Sequence, residues 1–368
     1  MSILTKTTDS GLVEPLPVGS PQKSAWQRYR WILWVVVLGA ALAFPYVVDR
    51  PRFWIPNIGI KSLWLGTIAM SLVFLNRYVG LLSLAQMTLA GIAAYGVGYM
   101  VVTLDQSVFL AVPAGILVGT VAGFLVALIA ARTKAIYFLM ITLAIGQVVY
   151  SFASQSLEVT NARRGLAPIP RPDLGVVDFT QLHIFYYGAL AAAVLCYLLC
   201  RYVAATSFGL ALQGIRDSPE RMSALGYNVN RYRIAAMTFT AFIASIGGVI
   251  MVFDRAQVDP DVVSLSSTLD ILVVAVIGGV GSLGGVFVGG IVLTLLDNFA
   301  QNVTERYMTL TGLVFIVVLL FAPTGLAGVG KQVVRALSTR RRAPQAPTAP
   351  DVPTPPGITD PSNERKQQ

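Results

Sequence analysis

The sequence predicts an all-α polytopic membrane protein, with about eight full transmembrane helices, one broken glycine-rich segment and both termini in the cytoplasm. Of the 368 residues, 55% are hydrophobic and only 12% are charged, whereas a soluble domain carries about 25% charged residues. The apolar residues are concentrated in runs close to the length of about 20 residues that crosses a bilayer. The basic residues lie mostly on one side of those runs. A soluble globular protein and a disordered chain are therefore both excluded.

Eight apolar runs are candidate membrane spans. In chain order they are 31–48, 60–75, 78–103, 107–131, 135–156, 183–204, 233–253 and 308–328. The first run is expected to be retained, because its apolar part is long and no A-x-A cleavage site for a signal peptidase follows it. Glycines spaced four apart, at Gly115, Gly119 and Gly123, predict close packing between helices.

The orientation of the spans follows from lysine and arginine, which favour cytoplasmic loops. With the N-terminus inside, 19 of the 27 basic residues but only 7 of the 18 acidic residues lie on the inner side. Seven spans leave the chain outside at residue 253, so the stretch 269–296 has to enter and leave on that side before the last span. As one helix it would measure about 42 Å, too short for two crossings of a core about 30 Å thick. We therefore predict two half-helices that meet at 278–285.

Three regions are expected along the chain. Residues 1–30 are predicted to be a polar cytoplasmic segment, and 31–330 a transmembrane domain. Residues 331–368 are basic and rich in proline, which predicts a disordered cytoplasmic tail. The pI of 9.7 is explained by this topology, so no nucleic acid is expected as a partner.

No residue cluster indicates an enzyme or a cofactor on this chain. Cys196 and Cys200 lie four apart in one apolar run, which predicts buried structural thiols rather than a disulfide or a metal pair. The GxGxxG match at 279–284 lacks the strand and the acidic residue of a dinucleotide site. The stretch 325–332 nearly matches a phosphate-binding loop, but Gln332 stands where its Ser or Thr belongs.

Polar side chains inside the spans and the broken segment form the candidate pathway through the membrane. Polar groups at membrane depth are costly unless they face a bundle interior or a cavity, and broken helices occur where they are buried in protein or line a wet cavity. Hydrogen bonding between helices and close glycine packing are the alternatives. The candidates are Gln86, Thr88, Gln147, Gly278, Gly279, Gly281, Gly284 and Gly285. At Gly281 and Gly284, backbones are expected to approach closely.

The longest inner loop, 205–233, is predicted to hold one short capped helix. Asp217 is expected to cap its start, with Glu220 completing a capping box, and Gly226 is expected to end it. A freely solvated loop has no need of such stops. A docking surface for a partner protein and an internally packed helix are the two interpretations. The candidate contact residues are Arg216, Asp217, Glu220, Arg221 and Gly226.

Four segments together resemble the branched-chain amino-acid permease family of ATP-driven (ABC) importers. They are VGLLSLAQMTLAGIAAYGVGY (79–99), GIRDSPERMSALGYNVNRYRIAAM (214–237), VIGGVGSLGGVFVGGIV (276–292) and FAPTGLAG (321–328). They occur in the order of that family, and the resemblance covers about residues 30–330. The spacing of Glu220 and Gly226 also resembles the E-A-A-x-x-x-G coupling loop of importer permeases, with Arg221 and Met222 in place of the two alanines.

The resemblance implies the longer of two homologous permeases in a bacterial inner membrane. Its partners would be the second permease, two cytoplasmic ATPase subunits that carry ATP and Mg²⁺, and an extracytoplasmic substrate-binding protein. The cargo would be leucine, isoleucine or valine, although related members carry urea, amides or other amino acids. The loop 205–233 would couple the chain to the ATPases. A channel or carrier that works without ATP is the competing class, against which stand the lack of a recognisable filter and of ionisable groups in mid-span.

Overall fold

Helices make up almost all of the computed structural model, which describes residues 6–7, 13–14, 39–46, 51–133, 135–172, 179–303, 312–313 and 325. In chain order the helices are α1 (39–46), α2 (Pro51–Val79), α3 (Gln86–Gly98), α4 (Val108–Ala130), α5 (Ala135–Gln155), α6 (Leu157–Thr160), α7 (Leu182–Ala205), α8 (Ser207–Asp217), α9 (Pro219–Ala224), α10 (Val229–Arg255), α11 (Leu265–Gly278) and α12 (Gly285–Val303). A two-residue antiparallel ladder pairs Lys6–Thr7 with Val13–Glu14.

Five of the described helices are long and apolar enough to cross a membrane, namely α2, α4, α5, α7 and α10. Four of them confirm the expected spans 107–131, 135–156, 183–204 and 233–253 to within four residues at either end. The expected span 31–48 is described only at 39–46, which is helical. The expected span 308–328 lies outside the described residues apart from 312–313 and 325. The chain is a multi-pass membrane protein, and the total of eight crossings stays a prediction.

Two expected spans have different bounds in the structure. The run 60–75 belongs to the longer helix α2, which starts at Pro51 and includes a π-helical turn at Ile55–Ile60. The run 78–103 is not one helix from its start, because Gly80 ends α2 in the left-handed conformation, with φ of +74°. Only glycine adopts this conformation at no steric cost. Helix α3 begins at Gln86 and continues as a π-helical turn at Tyr99–Thr103.

The core of the bundle is built around α2 and α10, which are mostly buried, while α4, α5 and α7 expose most of their length. Helix α10 packs against α2, α3 and α4. The glycine stripe on α4 makes the last of these contacts close. A Cβ on Gly123 would overlap the Cβ of Ala241, and one on Gly119 would overlap the Ser245 Oγ. The predicted close packing of these glycines is confirmed.

The two cysteines lie where the sequence predicted them, on the inner face of one helix. Cys196 and Cys200 are both buried in α7, and neither forms a disulfide. The expected burial of both thiols is confirmed. Within the described ranges, no three His, Cys, Asp or Glu residues come close enough together to hold a metal ion.

Candidate functional site

Gln86 links three helices in the middle of the bundle. Its side chain has no solvent exposure. Its Oε1 accepts a hydrogen bond from Ser71 Oγ on α2 at 3.1 Å, and its Nε2 donates to Thr240 Oγ1 on α10 at 3.3 Å. Its amide thus makes hydrogen bonds between helices, which was the alternative interpretation, and a place for Gln86 on the pathway stays a prediction.

Thr88 lies one turn away from a second polar contact, which joins the segment before α3 to α5. Thr142 Oγ1 on α5 accepts the Leu84 N–H at 3.2 Å. Thr88 is buried beside Gly146 of α5, and its Oγ1 has no hydrogen-bond partner in the described part of the chain. Gln147 follows on the same helix and is half-buried. Of the polar pathway candidates, Thr88 thus has an unused hydroxyl at membrane depth.

The glycine-rich segment is interrupted where the sequence predicted a break. Helix α11 ends at Gly278 and α12 begins at Gly285, with Gly279 at φ of +96°. Between the two helices, the Ser282 N–H donates to the Gly279 carbonyl at 2.9 Å. The Gly285 N–H donates to the Ser282 carbonyl at 3.1 Å. We call residues 279–284 the glycine turn, and α11, the glycine turn and α12 the hairpin.

Backbones approach closely at the neck of the hairpin rather than at its tip. A Cβ on Gly278 would lie 2.6 Å from Val286 Cα, and one on Gly289 would lie 2.7 Å from Gly278 N. Gly325 packs in the same way against Gly279. The expectation for Gly281 is wrong among the described residues, because none of them would lie within 4 Å of a Cβ there. Gly281 lies at the exposed tip of the turn.

The hairpin packs against α2 between Asn57 and Arg77. Helix α11 has 14 residues and measures about 21 Å, which is shorter than a hydrocarbon core, so the half-helices stay a prediction. The 19 residues of α12 measure about 28 Å, nearly the thickness of a hydrocarbon core. Helix α12 packs along α2, with Phe287 against Gly66 and Gly290 near the Ser62 carbonyl. The expected length was too short because α11 and α12 together begin before 269 and end after 296. Two full crossings would return the chain to the side from which it entered, and so would a re-entrant loop. The distribution of charged residues therefore could not distinguish the two arrangements.

Charged side chains join the helices at the opposite end from the glycine turn. Lys61 Nζ of α2 lies 3.1 Å from Asp297 Oδ2 of α12. The Trp64 indole N–H donates to Asp254 Oδ2 of α10 at 3.1 Å, and the Arg255 guanidinium lies 5.7 Å from the Trp64 ring centroid. Sequence analysis missed this group because its members are up to 236 residues apart. The paired charges offset part of their desolvation cost.

The loop 205–233 holds two helices, α8 and α9, where one was expected. The prediction that Asp217 caps the helix is wrong. Asp217 is the last residue of α8, and its carboxylate lies 2.9 Å from Arg216 Nη2. Ser218 is the N-cap of α9, with φ of −158°, and its side chain makes no capping hydrogen bond. Pro219 follows at the first helical position, as expected.

The end of α9 matches the prediction for Gly226. This glycine has a φ of +87°, and its N–H donates to the Ser223 carbonyl at 3.0 Å. The Tyr227 N–H donates to the Met222 carbonyl at 3.1 Å. This pair of bonds is the Schellman arrangement, which satisfies carbonyls at the end of a helix. Helix α9 is thus sharply ended, and it exposes Glu220 and Arg221 to solvent.

Arg216 connects α8 to the end of α2. Its Nη1 donates to the Arg77 carbonyl at 2.6 Å, and its side-chain stem lies against Gly80. Arg77 in turn donates from Nη1 to the Gly281 carbonyl in the glycine turn. The structure therefore brings together the two groups of candidate residues, the contact loop and the broken segment. Arg77 is the residue that sequence analysis missed, since its only signal was a positive charge in a short inner loop.

Sequence comparisons relate the chain to known permeases. A family model described as branched-chain amino acid transport system / permease component matches residues 55–323. The high-affinity branched-chain amino acid transport system permease protein LivM of Salmonella typhimurium is 22% identical over 339 residues, covering 85% of this chain and 78% of that protein. A probable permease LivM of Methanocaldococcus jannaschii is 25% identical over 228 residues, covering 57% of this chain and 65% of that protein. The permease LivH of Escherichia coli is 28% identical over 131 residues, covering 34% of this chain and 42% of that protein.

Proposed function

The chain belongs to the branched-chain amino acid transport permease family, as its motifs led us to expect, and from that membership we propose that it is a membrane-spanning subunit of an ATP-driven importer. The family match over 55–323 is the observation that carries the proposal. It covers the long apolar helices, the loop 205–233 and the hairpin. The cargo is a branched-chain amino acid or a related small polar solute, moved into the cytoplasm.

The loop 205–233 is the coupling site of this proposal. Helix α9 has a proline at its start and a Schellman stop at its end, so it is short and rigid. A rigid element transmits a displacement that a flexible loop would absorb. Glu220 and Arg221 are exposed and are available to an ATPase subunit, while Arg216 and Asp217 hold the junction between α8 and α9.

The proposed assembly contains four other subunits. A second, homologous permease, two cytoplasmic ATPase subunits and an extracytoplasmic substrate-binding protein complete the importer in a bacterial inner membrane. The resemblance to both LivM and LivH supports a paired permease. ATP and Mg²⁺ belong to the ATPase subunits.

The route for the cargo is proposed near Thr88, Gln147 and the glycine turn. Thr88 supports this placement with a buried hydroxyl that has no partner among the described residues. Since Thr88 lies against Gly146 of α5, a route at this depth requires α3 and α5 to separate. Gln86 stays a predicted part of the route, although its amide already joins three helices.

The proposed orientation places both termini and the loop 205–233 in the cytoplasm. Thiols introduced at Arg163 and at Ser223 test it, because both residues are exposed and lie on opposite predicted sides. A membrane-impermeant maleimide added outside is expected to label Arg163→Cys and to leave Ser223→Cys unlabelled. Labelling of Ser223→Cys in intact cells would overturn the orientation.

Reconstitution with ATP tests the importer against the competing class. The full chain, isolated from its native membranes with its bound subunits, is placed in vesicles with labelled leucine, isoleucine or valine. We expect uptake that requires ATP and a substrate-stimulated ATPase activity. Uptake without ATP would indicate a channel or a secondary carrier. Labelled urea, amides and other amino acids in the same assay distinguish the other cargoes of the family.

A further inference from the structure

Arg77 occupies the point where the coupling loop meets the hairpin. Its carbonyl accepts a hydrogen bond from Arg216 of α8 at 2.6 Å. Its own guanidinium donates to the Gly281 carbonyl of the glycine turn. One residue at the end of α2 is therefore bonded on one side to the element proposed to contact the ATPases and on the other to the tip of the hairpin.

Two interactions restrict movement between α8 and α2, namely a hydrogen bond and a close packing contact. Gly80 closes α2 in the left-handed conformation, and a Cβ on it would lie 2.7 Å from Arg216 Cγ. The aliphatic part of the Arg216 side chain thus packs against Gly80, while its guanidinium donates to the Arg77 carbonyl. Charged hydrogen bonds to the carbonyls at a helix C-terminus are favoured by the helix dipole. A displacement of α8 is transmitted to the last turn of α2.

The hairpin is built to move as one body. At its neck, Gly278 and Gly289 bring the backbones of α11 and α12 together with no side chain between them. Such an interface has little space for the two helices to shift separately. At the tip, Gly281 is exposed, and no residue that the structure describes lies within 4 Å of the place where a Cβ would be. A pull on the Gly281 carbonyl therefore acts on the hairpin rather than on an isolated loop.

We infer that Arg77 is the positioning residue that transmits a displacement of α8 and α9 to the glycine turn, and thereby sets the position of the inner end of the hairpin. The inference rests on the proposed function, because the displacement comes from the ATPase subunits. Arg77 touches neither cargo nor nucleotide in this arrangement. Its planar guanidinium suits the task, because its donors are held in a fixed fork, whereas a lysine ammonium is a single point of contact on a flexible stem.

The test combines coupling with a thiol probe in the glycine turn. Gly281→Cys is the probe, because Gly281 is exposed and a Cβ there meets none of the described residues within 4 Å. The reconstituted importer carries Arg77→Ala, Arg77→Lys or Arg216→Ala in this background, and Arg132→Ala is the matched control, an exposed arginine in the turn after α4. Maleimide reaction rates at Gly281→Cys are measured with and without ATP, together with basal and substrate-stimulated ATPase rates.

We expect the unaltered importer to show a nucleotide-dependent labelling rate at the probe. Arg77→Ala should abolish that dependence and reduce stimulated ATPase activity by about tenfold, the size expected for one lost hydrogen bond to a charged group. Basal ATPase activity should stay, since the ATPases are untouched, and Arg77→Lys should retain part of the coupling. Arg77→Ala and Arg216→Ala combined should lose no more than either change alone, because residues in one network are not additive. Arg132→Ala should behave as the unaltered importer.

Two results would overturn the inference. One is full stimulation and unchanged nucleotide-dependent labelling in Arg77→Ala. The other is an additive loss in the double variant, which would place Arg77 and Arg216 in separate pathways. Failure of the proposed function is distinguishable from both, because it would remove ATP-dependent uptake and stimulation from the unaltered chain. If Arg77→Ala does not insert, Arg77→Lys and the labelling rates decide the question.

Discussion

Replacing Gly226 tests whether a defined helix end is needed in the coupling loop. The φ of this residue is +87°, and a Cβ there would meet no atom of the described part of the chain within 4 Å. The cost of a side chain at this position is therefore conformational and not steric. For an L-residue in the left-handed region, it amounts to about 1–2 kcal/mol. Asparagine tolerates this region better than other residues, so its cost is smaller.

Hydrogen exchange measures this cost directly. The Tyr227 N–H is bonded to the Met222 carbonyl at 3.1 Å only while the Schellman arrangement holds. A loss of about 1–2 kcal/mol corresponds to a factor of roughly 5 to 30 in local opening. The Tyr227 amide of Gly226→Val should therefore exchange faster by that factor. Gly226→Asn is the matched control and should exchange at a rate between that of Gly226→Val and that of the unaltered chain.

The same variants connect the helix end to coupling. Gly226→Val should insert normally, because the change is small against the stability of the bundle, but it should retain less ATPase on the membrane and lose substrate stimulation. Gly226→Asn should keep most of both. Equal exchange rates in the three proteins would refute the conformational reasoning. Faster exchange of the Tyr227 amide together with full substrate stimulation of the ATPase would show that the end of α9 is not needed for coupling.

Three other features give predictions that a thermal unfolding assay in detergent can check. Lys61→Asp and Asp297→Lys should each lower the midpoint, and the exchanged pair should recover most of the loss, since the partners lie 3.1 Å apart; no recovery would mean that the pair does not interact. Gly123→Leu should cost about 1–3 kcal/mol by overpacking, and an unchanged midpoint would contradict the close approach. Thr88→Val should be neutral or slightly stabilising, because its hydroxyl has no partner in the described part of the chain. Thr142→Val should lower the free energy of unfolding by about 1–3 kcal/mol, because it leaves the Leu84 N–H without its acceptor. Equal effects of the two changes would refute this distinction.

Much of the helical layout could be predicted because hydropathy is a local signal. The runs at 107–131 and 183–204 have the length and composition that a membrane helix requires, and helices occupy them almost to the residue. The break in the hairpin was also predictable, since a dense run of glycines weakens a helix locally. The predicted helix bounds were wrong where the backbone conformation of a single residue ends a helix. The left-handed Gly80 ends α2 inside an apolar run, and no hydropathy window detects this.

The candidate site was predictable in its parts but not in its connections. Gly226 was identified because a C-terminal glycine is a strong helix stop. Asp217 was misassigned because its carboxylate has a neighbouring arginine to bind, and the capping pattern in the sequence does not show which partner it prefers. Arg77 and Gly281 are 204 residues apart, so their contact follows from packing rather than from any local pattern.

The carboxamide of Gln86 has a consequence for the order in which the protein is made. Its two partners are synthesised at different times, because Ser71 precedes it by 15 residues and Thr240 follows it by 154. At about 5–20 residues per second, α10 emerges roughly 8–30 s after α3. Until then the amide nitrogen lacks Thr240 in an environment that offers no water. In lipid, apolar surfaces barely distinguish one rotation of a helix from another. The arrival of Thr240 therefore ends an interval in which α2 and α3 can still turn, and it fixes the orientation of these two helices from a part of the chain that is made later.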